Sequence, residues 1–210
     1  MDVAQAFVRL AKKLPIDLAQ AERNETTKGK MIALDLVPAV PESEHGQRTA
    51  LDIGCRAGNQ TRWLEGRGYG VTSVDVEKTF DKCVIVNADK PLPFEDASFD
   101  LIWCREVIEH LRSPQTSLAE FRRVLRPDGF MIPATPNSYF WLMRPFHLIG
   151  LTPAKMQNPD HKQFFRANKI RRLFPDAEIY GYFPYLLIKA TIRRCLGALT
   201  PTFVIREHKT

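Results

Sequence analysis

The sequence contains few cysteines and no long apolar run. Its four cysteines lie far apart among 210 residues, and they form no CxxC pair: Cys55, Cys83, Cys104 and Cys195. This spacing favours reduced thiols over a disulfide framework or a zinc site. No run of about 18 apolar residues is available to span a membrane, and the N-terminal MDVAQAFVRLAKKL lacks the apolar core of a signal peptide. We therefore expect a cytoplasmic protein.

Internal repeats, low-complexity tracts and long linkers are also missing. A chain of 210 residues with 44% hydrophobic content can form one domain with a full core. Apolar strands alternate with amphipathic helices along the chain, and the strands are expected at 49–54, 71–76, 83–87, 99–105, 130–135, 177–183 and 203–206. The alternation predicts an α/β fold: a doubly wound, Rossmann-like, seven-stranded and mostly parallel sheet with helices on both faces. Only residues 77–82 separate the second and third strands, so a short turn is expected there.

Polar and glycine residues stand at the ends of the first two predicted strands. In LDIGCRAG, the first strand turns into a helix at Asp52, Gly54 and Gly58, and in SVDVE the second strand ends at Asp75. In a sheet of this kind, ligands bind beyond the carboxyl ends of the strands. Glycine lets the backbone approach a ligand closely, and a carboxylate can accept both hydroxyls of a ribose. The sequence therefore predicts a nucleoside-binding site.

The third strand end and the glycine spacing narrow the type of nucleotide. In VNADKPLPF, Ala88 and Asp89 close the third strand, and Asp89 is placed to bind an adenine amino group. Nicotinamide dehydrogenases carry GxGxxG after the first strand, whereas here three residues separate Gly54 from Gly58. The acid before Gly54 suits a sulfonium and an ammonium better than a pyrophosphate. A dehydrogenase is therefore disfavoured.

The motifs LDIGCRAG, FDLIWCREVIEHL and RVLRPDG, followed by TPN at 135–137, resemble those of a known family. The chain is similar to class I S-adenosylmethionine-dependent methyltransferases, in particular to the type 11 group that includes the ubiquinone-biosynthesis O-methyltransferases. The resemblance runs from about residue 49 to residue 174. It implies that S-adenosylmethionine binds at Asp52, Gly54 and Gly58 through its methionine part, at Asp75 through its ribose, and at Ala88 and Asp89 through its adenine. Cys104 would lie beside the methyl donor.

Two residues depart from the family pattern. Arg56 stands where the family usually has the middle glycine of LDIGCGxG, and Asp128 replaces a glycine of RVLxPGG. An aspartate tolerates the left-handed conformation of a turn. Arg56 must point away from the cofactor, where it would either weaken cofactor binding or reach a substrate anion. It also raises the alternative of a catalytically inactive relative, against which the retained Asp52, Asp75 and Asp89 argue.

A group of acids and histidines follows the fourth strand. In REVIEHL, Glu106, Glu109 and His110 share one side of the chain if the stretch is helical, and His161 lies downstream in DHKQF. Carboxylates and imidazoles are suitable ligands for Mg or Mn. The resemblance implies such a site in ubiquinone-biosynthesis O-methyltransferases and small-RNA 2′-O-methyltransferases. Alternatively, the glutamates only cap or orient loops, and His110 or His161 is the catalytic general base.

Acceptor specificity is expected outside the cofactor half of a single methyltransferase domain, residues 1–210. The candidate segments are an N-terminal helical cap at 1–45 and acceptor-side elements at 138–165 and 183–200. Residues 138–151 would form either an apolar lid or a core helix. Residues 182–199 would form a basic helix, either a crossover helix or one in peripheral contact with a membrane. We expect O-methylation of a small or lipid-linked hydroxylated acceptor. The alternative, an RNA 2′-O-methyltransferase, is favoured by the net charge of +6 and by DHKQF, which resembles the downstream histidine motif of that branch.

Overall fold

The computed structural model describes residues 28–44, 48–183 and 190–210. Of the N-terminal helical cap expected at 1–45, residues 1–27 and 45 lie outside them. Eight strands form one sheet, and their bounds are β1 Thr49–Ile53, β2 Gly70–Asp75, β3 Cys83–Ile85, β4 Phe99–Arg105, β5 Leu125–Pro136, β6 Glu178–Tyr182, β7 Thr191–Ile192 and β8 Thr202–His208. The helices are α1 Lys28–Asp35, α2 Asn59–Glu65, α3 Pro114–Val124, α4 Arg144–Leu148, α5 Pro153–Met156, α6 Ala167–Leu173 and α7 Leu196–Leu199. Short 3₁₀ turns cover Glu42–Glu44 and Trp141–Met143.

The strand order confirms the doubly wound prediction. Across the sheet the order is β3-β2-β1-β4-β5-β8-β6-β7, and the pairs formed among β1 to β5 are all parallel. β8 runs antiparallel to β5 and β6. The order reverses between β1 and β4, so the carboxyl ends of these two strands flank the crevice in which such sheets bind ligands. Within the described residues the sheet has eight strands, one more than expected, because the two-residue β7 pairs with β6.

Two hydrophobic clusters cover the two faces of the sheet. Leu101 and Trp103 of β4 belong to the cluster that α1 and α2 cover, whereas Ile102 and Cys104 belong to the cluster beneath α3 and α6. Successive side chains of a strand point to opposite faces, so a strand buried on both sides must be apolar throughout. This explains the continuous run LIWC in β4 and the parallel arrangement that it predicted.

Several element boundaries confirm the sequence-based expectations. The pair Ser113-Pro114 predicts the start of a helix that carries Arg122, Arg123 and Arg126 and ends at 127–129. α3 does begin at Pro114, and β2 is joined to β3 without a helix. The helix itself ends at Val124, earlier than the predicted end at 127–129, because β5 already starts at Leu125. Consequently Arg126 lies in β5 and not on a helix with Arg122 and Arg123.

Both acceptor-side segments differ from at least one expectation. Residues 138–151 form a 3₁₀ turn and α4, in which Leu148 is 88% and Ile149 73% exposed. The core-helix alternative is therefore wrong. Of the basic helix expected at 182–199, residues 184–189 lie outside the described part. The rest is β7, a turn and α7, because Thr191 and Ile192 pair with Tyr182 and Gly181 as the second strand of a hairpin. The single helix is thus wrong for residues 190–199. Among the described helices, none is long and apolar enough to cross a membrane.

Candidate active site

The turn after β1 is built on two glycines with left-handed backbones. Gly54 has φ 79° and Gly58 has φ 73°. A Cβ added at Gly54 would lie 2.5 Å from Cγ2 of Val107, and one at Gly58 would lie 2.8 Å from the ring of Phe80. A side chain at either position would therefore clash as well as strain the backbone. The contact with Val107 also brings the β1 turn against the segment that follows β4.

Asp52 lies beneath this turn and is only 1% exposed. Its Oδ2 accepts a 2.7 Å hydrogen bond from Oγ1 of Thr61, which is also 2.8 Å from Oγ of Ser73. Burial raises the pKa of Asp52 to about 6, the bond from Thr61 opposes this, and the charge of Asp75 adds to it. Asp52 therefore links β1, α2 and β2 and fixes the geometry of the turn.

Asp75 stands at the end of β2 with part of its carboxylate uncommitted. Its Oδ2 accepts the backbone N–H of Arg56 at 3.0 Å, and its Oδ1 accepts that of Val76 at 2.7 Å. An ionised carboxylate offers about four acceptor sites, so two remain. These fit the two hydroxyls of a ribose, and the two backbone bonds hold the carboxylate in a fixed orientation for them.

Ala88 and Asp89 follow β3, as predicted, but Asp89 already has protein partners. Its Oδ1 accepts the backbone N–H of Arg112 at 2.7 Å, and its Oδ2 lies 3.5 Å from Nζ of Lys162. Asp89 thus ties the loop after β3 to two segments on the β4 side of the crevice. Ala88 is buried beside it. Their contact with adenine stays a prediction.

Cys104 is fully buried in the core at the end of β4. Burial raises the pKa of its thiol well above the ordinary value, and the charges of Glu109 and Asp52 act in the same direction. The thiol is therefore neutral and enclosed. Arg105, the last residue of β4, and Glu106 follow it along the chain. Contact of Cys104 with a methyl donor stays a prediction.

Three of the four candidate metal ligands converge after β4. The ligand atoms of Glu109, His110 and His161 lie within 4.8 Å of one another, and we name these residues the acid–histidine cluster. The two imidazole rings meet edge to face with centroids 4.8 Å apart. Lys162 and Gln163 donate their backbone N–H groups at 2.9 Å to the carbonyl of Glu109. This backbone pairing brings the distant His161 to the cluster.

The ring of each histidine makes one long hydrogen-bond contact with an oxygen atom. Nδ1 of His110 is 3.2 Å from the carbonyl oxygen of Asp160, and Nδ1 of His161 is 3.4 Å from Oε1 of Gln157. Burial lowers the pKa of His161 to about 4, with the charge of His110 adding to the effect. Burial also lowers the pKa of His110. Both imidazoles are therefore neutral near pH 7, the form that accepts a proton or binds a metal.

Glu109 is buried within the cluster with one oxygen lacking a partner. Its Oε2 accepts a 3.0 Å hydrogen bond from Oγ1 of Thr135, whereas no described group bonds its buried Oε1. Burial, aided by the charge of Glu106, raises the pKa of Glu109 to about 8. A cation beside the two neutral imidazoles would supply the missing partner and restore the carboxylate charge. The donor set fits a divalent ion, and two imidazoles favour Mn over Mg.

Glu106, the fourth predicted ligand, is not in the cluster. The stretch after β4 is a turn and not the helix that the spacing assumed, and Glu106 has a left-handed backbone with φ 56°. Its Oε1 lies 3.5 Å from Nη2 of Arg105. Burial raises the pKa of Glu106, and the charges of Arg105 and Arg56 oppose the rise. Its role as a metal ligand stays a prediction.

Three supporting residues were not singled out from the sequence. Thr135 bonds Glu109, Gln157 contacts His161, and Arg105 pairs with Glu106. The TPN motif contains Thr135, and REVIEHL begins with Arg105, so both lay within segments already noted. Gln157 carries no sequence signal, because its position depends on the path of residues 138–161.

Comparison with known proteins shows similarity to methyltransferases in both sequence and fold. A family profile described as a methyltransferase domain matches residues 51–132. The ubiquinone biosynthesis O-methyltransferase of Alkalilimnicola ehrlichii is 25% identical over 151 aligned residues, which cover 63% of this chain and 60% of that protein. The corresponding enzyme of Maricaulis maris is 33% identical over 101 residues, 41% of this chain and 40% of that protein. The chain is thus aligned with about two fifths to three fifths of the length of these relatives.

Solved structures share the fold over a larger part of the chain. A methyltransferase from Thermotoga maritima, described as a candidate histamine N-methyltransferase, has a TM-score of 0.63 at 17% identity and covers 86% of this chain and 89% of its own. The Haloferax volcanii methyltransferase solved with the Trm112 activator has a TM-score of 0.60 at 19% identity, with 98% and 97% covered. The chain is thus similar to the class I S-adenosylmethionine-dependent methyltransferases in its matched domain and in its fold. The family resemblance inferred from LDIGCRAG and EVIEHL is therefore confirmed, and the family implies S-adenosylmethionine as cofactor.

Proposed function

We propose that the protein transfers a methyl group from S-adenosylmethionine to a hydroxyl of a small or lipid-linked acceptor. The observation that carries this proposal is the acid–histidine cluster, which follows β4 on the same edge of the sheet as the glycine turn and Asp75. Among the relatives, the ubiquinone biosynthesis enzymes and the malonyl-[acyl-carrier protein] enzyme of Erwinia pyrifoliae, which is 34% identical over 95 residues, are named O-methyltransferases.

The cofactor would be held at the ends of β1, β2 and β3. Asp75 would accept the ribose hydroxyls, the turn at Gly54 and Gly58 would line the methionine part, and Ala88 with Asp89 would lie at the adenine. The bound cofactor supplies an electrophilic methyl group on a sulfonium. The task of the chain is then to align an acceptor oxygen with that methyl group and to remove its proton.

The cluster offers two ways to remove that proton. A neutral His110 or His161 can accept it directly. Alternatively, a Mg or Mn ion held by Glu109, His110 and His161 would act as a Lewis acid on the acceptor hydroxyl. With its raised pKa, Glu109 is protonated near neutral pH without a cation, so ion binding would release that proton.

The surface after β5 supports an apolar or lipid-linked acceptor. Trp141, Leu148 and Ile149 expose 40%, 88% and 73% of their surfaces on the 3₁₀ turn and α4. Residues of this size are seldom left exposed together unless they meet an apolar partner. The segment continues directly from β5, next to β4 in the sheet. We propose that it covers the acceptor during the reaction.

The test combines cofactor binding with methyl transfer to hydroxylated aromatic acceptors. Purified protein should bind S-adenosylhomocysteine in calorimetry and transfer radiolabelled methyl groups to a catechol. His110→Ala and His161→Ala should each reduce turnover while cofactor affinity is kept. A chelator separates the two routes: lost activity that Mn restores supports the ion, and unchanged activity supports a histidine base. Failure of the wild type to bind the cofactor would contradict the proposal.

The pH dependence of turnover tests the histidine route further. An ordinary imidazole base predicts that the rate falls below about pH 6.5. Because burial lowers the pKa of His161 to about 4, a His161 base predicts activity that persists well below pH 6. Loss of rate already between pH 7 and 6 would contradict His161 as the base.

An RNA 2′-O-methyltransferase is the second candidate, and the position of His161 next to His110 favours it. The resemblance of DHKQF to that branch implied such a downstream histidine. The basic charge contributes less, because Arg122, Arg123 and Arg126 pair with Glu207, Glu120 and Asp100 within the protein. Transfer of methyl groups to short RNA, but not to catechols, would establish this candidate over the first.

A further inference from the structure

Arg56 has a backbone conformation that its side chain does not favour. Its φ is 46°, in the left-handed region, which residues other than glycine, asparagine and aspartate seldom adopt. Gly54 and Gly58 on either side also have positive φ. A glycine would therefore fit position 56 without strain. Strained residues of this kind cluster at functional sites, so a role for the guanidinium of Arg56 is expected.

The backbone of Arg56 is held in place, whereas its side chain is exposed. The N–H group donates to Oδ2 of Asp75 at 3.0 Å. Within the described part of the chain, no carboxylate forms an ion pair with the guanidinium of Arg56. The nearby Arg105, in contrast, pairs with Glu106. Among the described residues, this positive charge on the glycine turn therefore has no anionic partner, and an external anion can pair with it.

The turn that carries Arg56 faces the segment after β4. Gly54 lies against Val107, so the two loops touch. Burial raises the pKa of Glu106 and the charge of Arg56 opposes that rise, while burial lowers the pKa of His110 and the charge of Arg56 adds to that effect. The turn that carries Arg56 is therefore next to the segment of the acid–histidine cluster, where the proposed function places the acceptor.

We infer that Arg56 binds a carboxylate carried by the methyl acceptor. This inference rests on the proposed function. The planar guanidinium matches a carboxylate with two parallel hydrogen bonds, and its one positive charge balances a monoanion better than a phosphate dianion. Such a pair would fix the acceptor at one end and leave its hydroxyl free to meet the cluster. The acceptor class is therefore a hydroxylated carboxylic acid.

The experiment compares catechol with 3,4-dihydroxybenzoate, which differ by one carboxylate. The wild type should prefer the carboxylate in kcat/KM by about tenfold or more, the value of a charge-assisted pair. Arg56→Gln keeps a strained non-glycine residue but removes the charge, so it should abolish this preference. Arg171→Gln, an equal charge change at an exposed position of α6, should retain it. Calorimetry with S-adenosylhomocysteine should give the same affinity for all three proteins.

Each other outcome overturns the inference in a distinct way. A loss of S-adenosylhomocysteine affinity in Arg56→Gln would assign the guanidinium to the cofactor's own carboxylate. Equal losses with both acceptors would assign it a positioning role in the loop. If 3,4-dihydroxybenzoate neither reacts nor binds the cofactor-loaded protein in calorimetry, or if only RNA is methylated, the acceptor class is wrong. Failure of the wild type to bind the cofactor would instead contradict the proposed function.

Discussion

The buried carboxyl of Glu109 predicts that the isosteric change Glu109→Gln stabilises the metal-free protein at high pH. The pKa of Glu109 is raised to about 8, chiefly by burial and further by the charge of Glu106. The folded protein therefore binds this proton more tightly than the unfolded chain does. The resulting stability is complete below the ordinary pKa near 4.5, declines as the pH rises, and is lost once the pH has passed through about 8.

The size of the effect follows from the shift. Each unit of pKa difference corresponds to about 1.4 kcal/mol, so a rise from 4.5 to about 8 sets an upper limit near 5 kcal/mol on the loss. Relaxation and water penetration reduce the cost of a buried charge. Glutamine has no proton to lose, so the variant should avoid this loss. We expect Glu109→Gln to gain at least about 1.5 kcal/mol on the wild type between pH 5 and pH 9.

The assay is urea unfolding in a chelator at pH 5, 7 and 9. Glu77→Gln, a change at an exposed carboxylate, is the matched control and should show no such trend. Added Mn should stabilise the wild type at pH 9, because a cation neutralises the Glu109 carboxylate, and should leave Glu109→Gln almost unchanged. The electrostatic argument would be refuted if Glu109→Gln were as unstable relative to the wild type at pH 9 as it is at pH 5, or more so. A Mn effect of the same size in both proteins would refute the ion site.

Three further predictions concern the cofactor side of the crevice. Asp75→Ala should weaken S-adenosylhomocysteine binding at least tenfold in calorimetry, because each bond to a charged group contributes about 1.5–3 kcal/mol; wild-type affinity in a folded variant would contradict the ribose assignment. Thr61→Val should lower the free energy of unfolding by about 1–3 kcal/mol, since it leaves the buried Asp52 without its 2.7 Å hydroxyl partner; unchanged urea unfolding would contradict this. Arg56→Gly should bind S-adenosylhomocysteine at least as tightly as the wild type in the same calorimetric assay, because glycine removes strain from the turn, and weaker binding would show that the guanidinium contacts the cofactor.

The fold was predictable where local patterns agree with the final packing. An apolar strand, glycines with positive φ and a helix follow one another directly at the β1 turn, and the local sequence signals for all three agree. The serine and proline before α3 also fixed its start. The hairpin of β6 and β7 was not predictable, because the register of two residues is set by pairing with Tyr182 and Gly181 and not by any periodicity. The segment 138–151 was left with two alternatives for another reason. Several of its apolar residues are exposed, and sequence alone does not separate an exposed apolar face from a buried one.

The candidate site was predicted in its members but not in its geometry. Glu109, His110 and His161 meet as expected, although the i, i+3, i+4 argument that grouped Glu106 with them assumed a helix. The left-handed backbone of Glu106 breaks that periodicity and directs its carboxylate to Arg105. Nor does sequence indicate that backbone pairing between Glu109 and Lys162 brings His161 to the cluster. Long-range contacts of this kind depend on the complete fold.

The backbone strain of the crevice is concentrated where the two strands flanking it end. Arg56 follows β1 and Glu106 follows β4, and both are non-glycine residues with positive φ. Glu106 is pinned there because its N–H donates to the carbonyl of Ala134 in β5 at 2.7 Å. The sharp turn sends the chain back across the strand ends, so that Val107 meets the glycine turn and Glu109 enters the core. Stability alone would favour glycine at both positions. Charged residues stand at both positions instead, one cationic and one anionic, and strained residues of this kind cluster at functional sites.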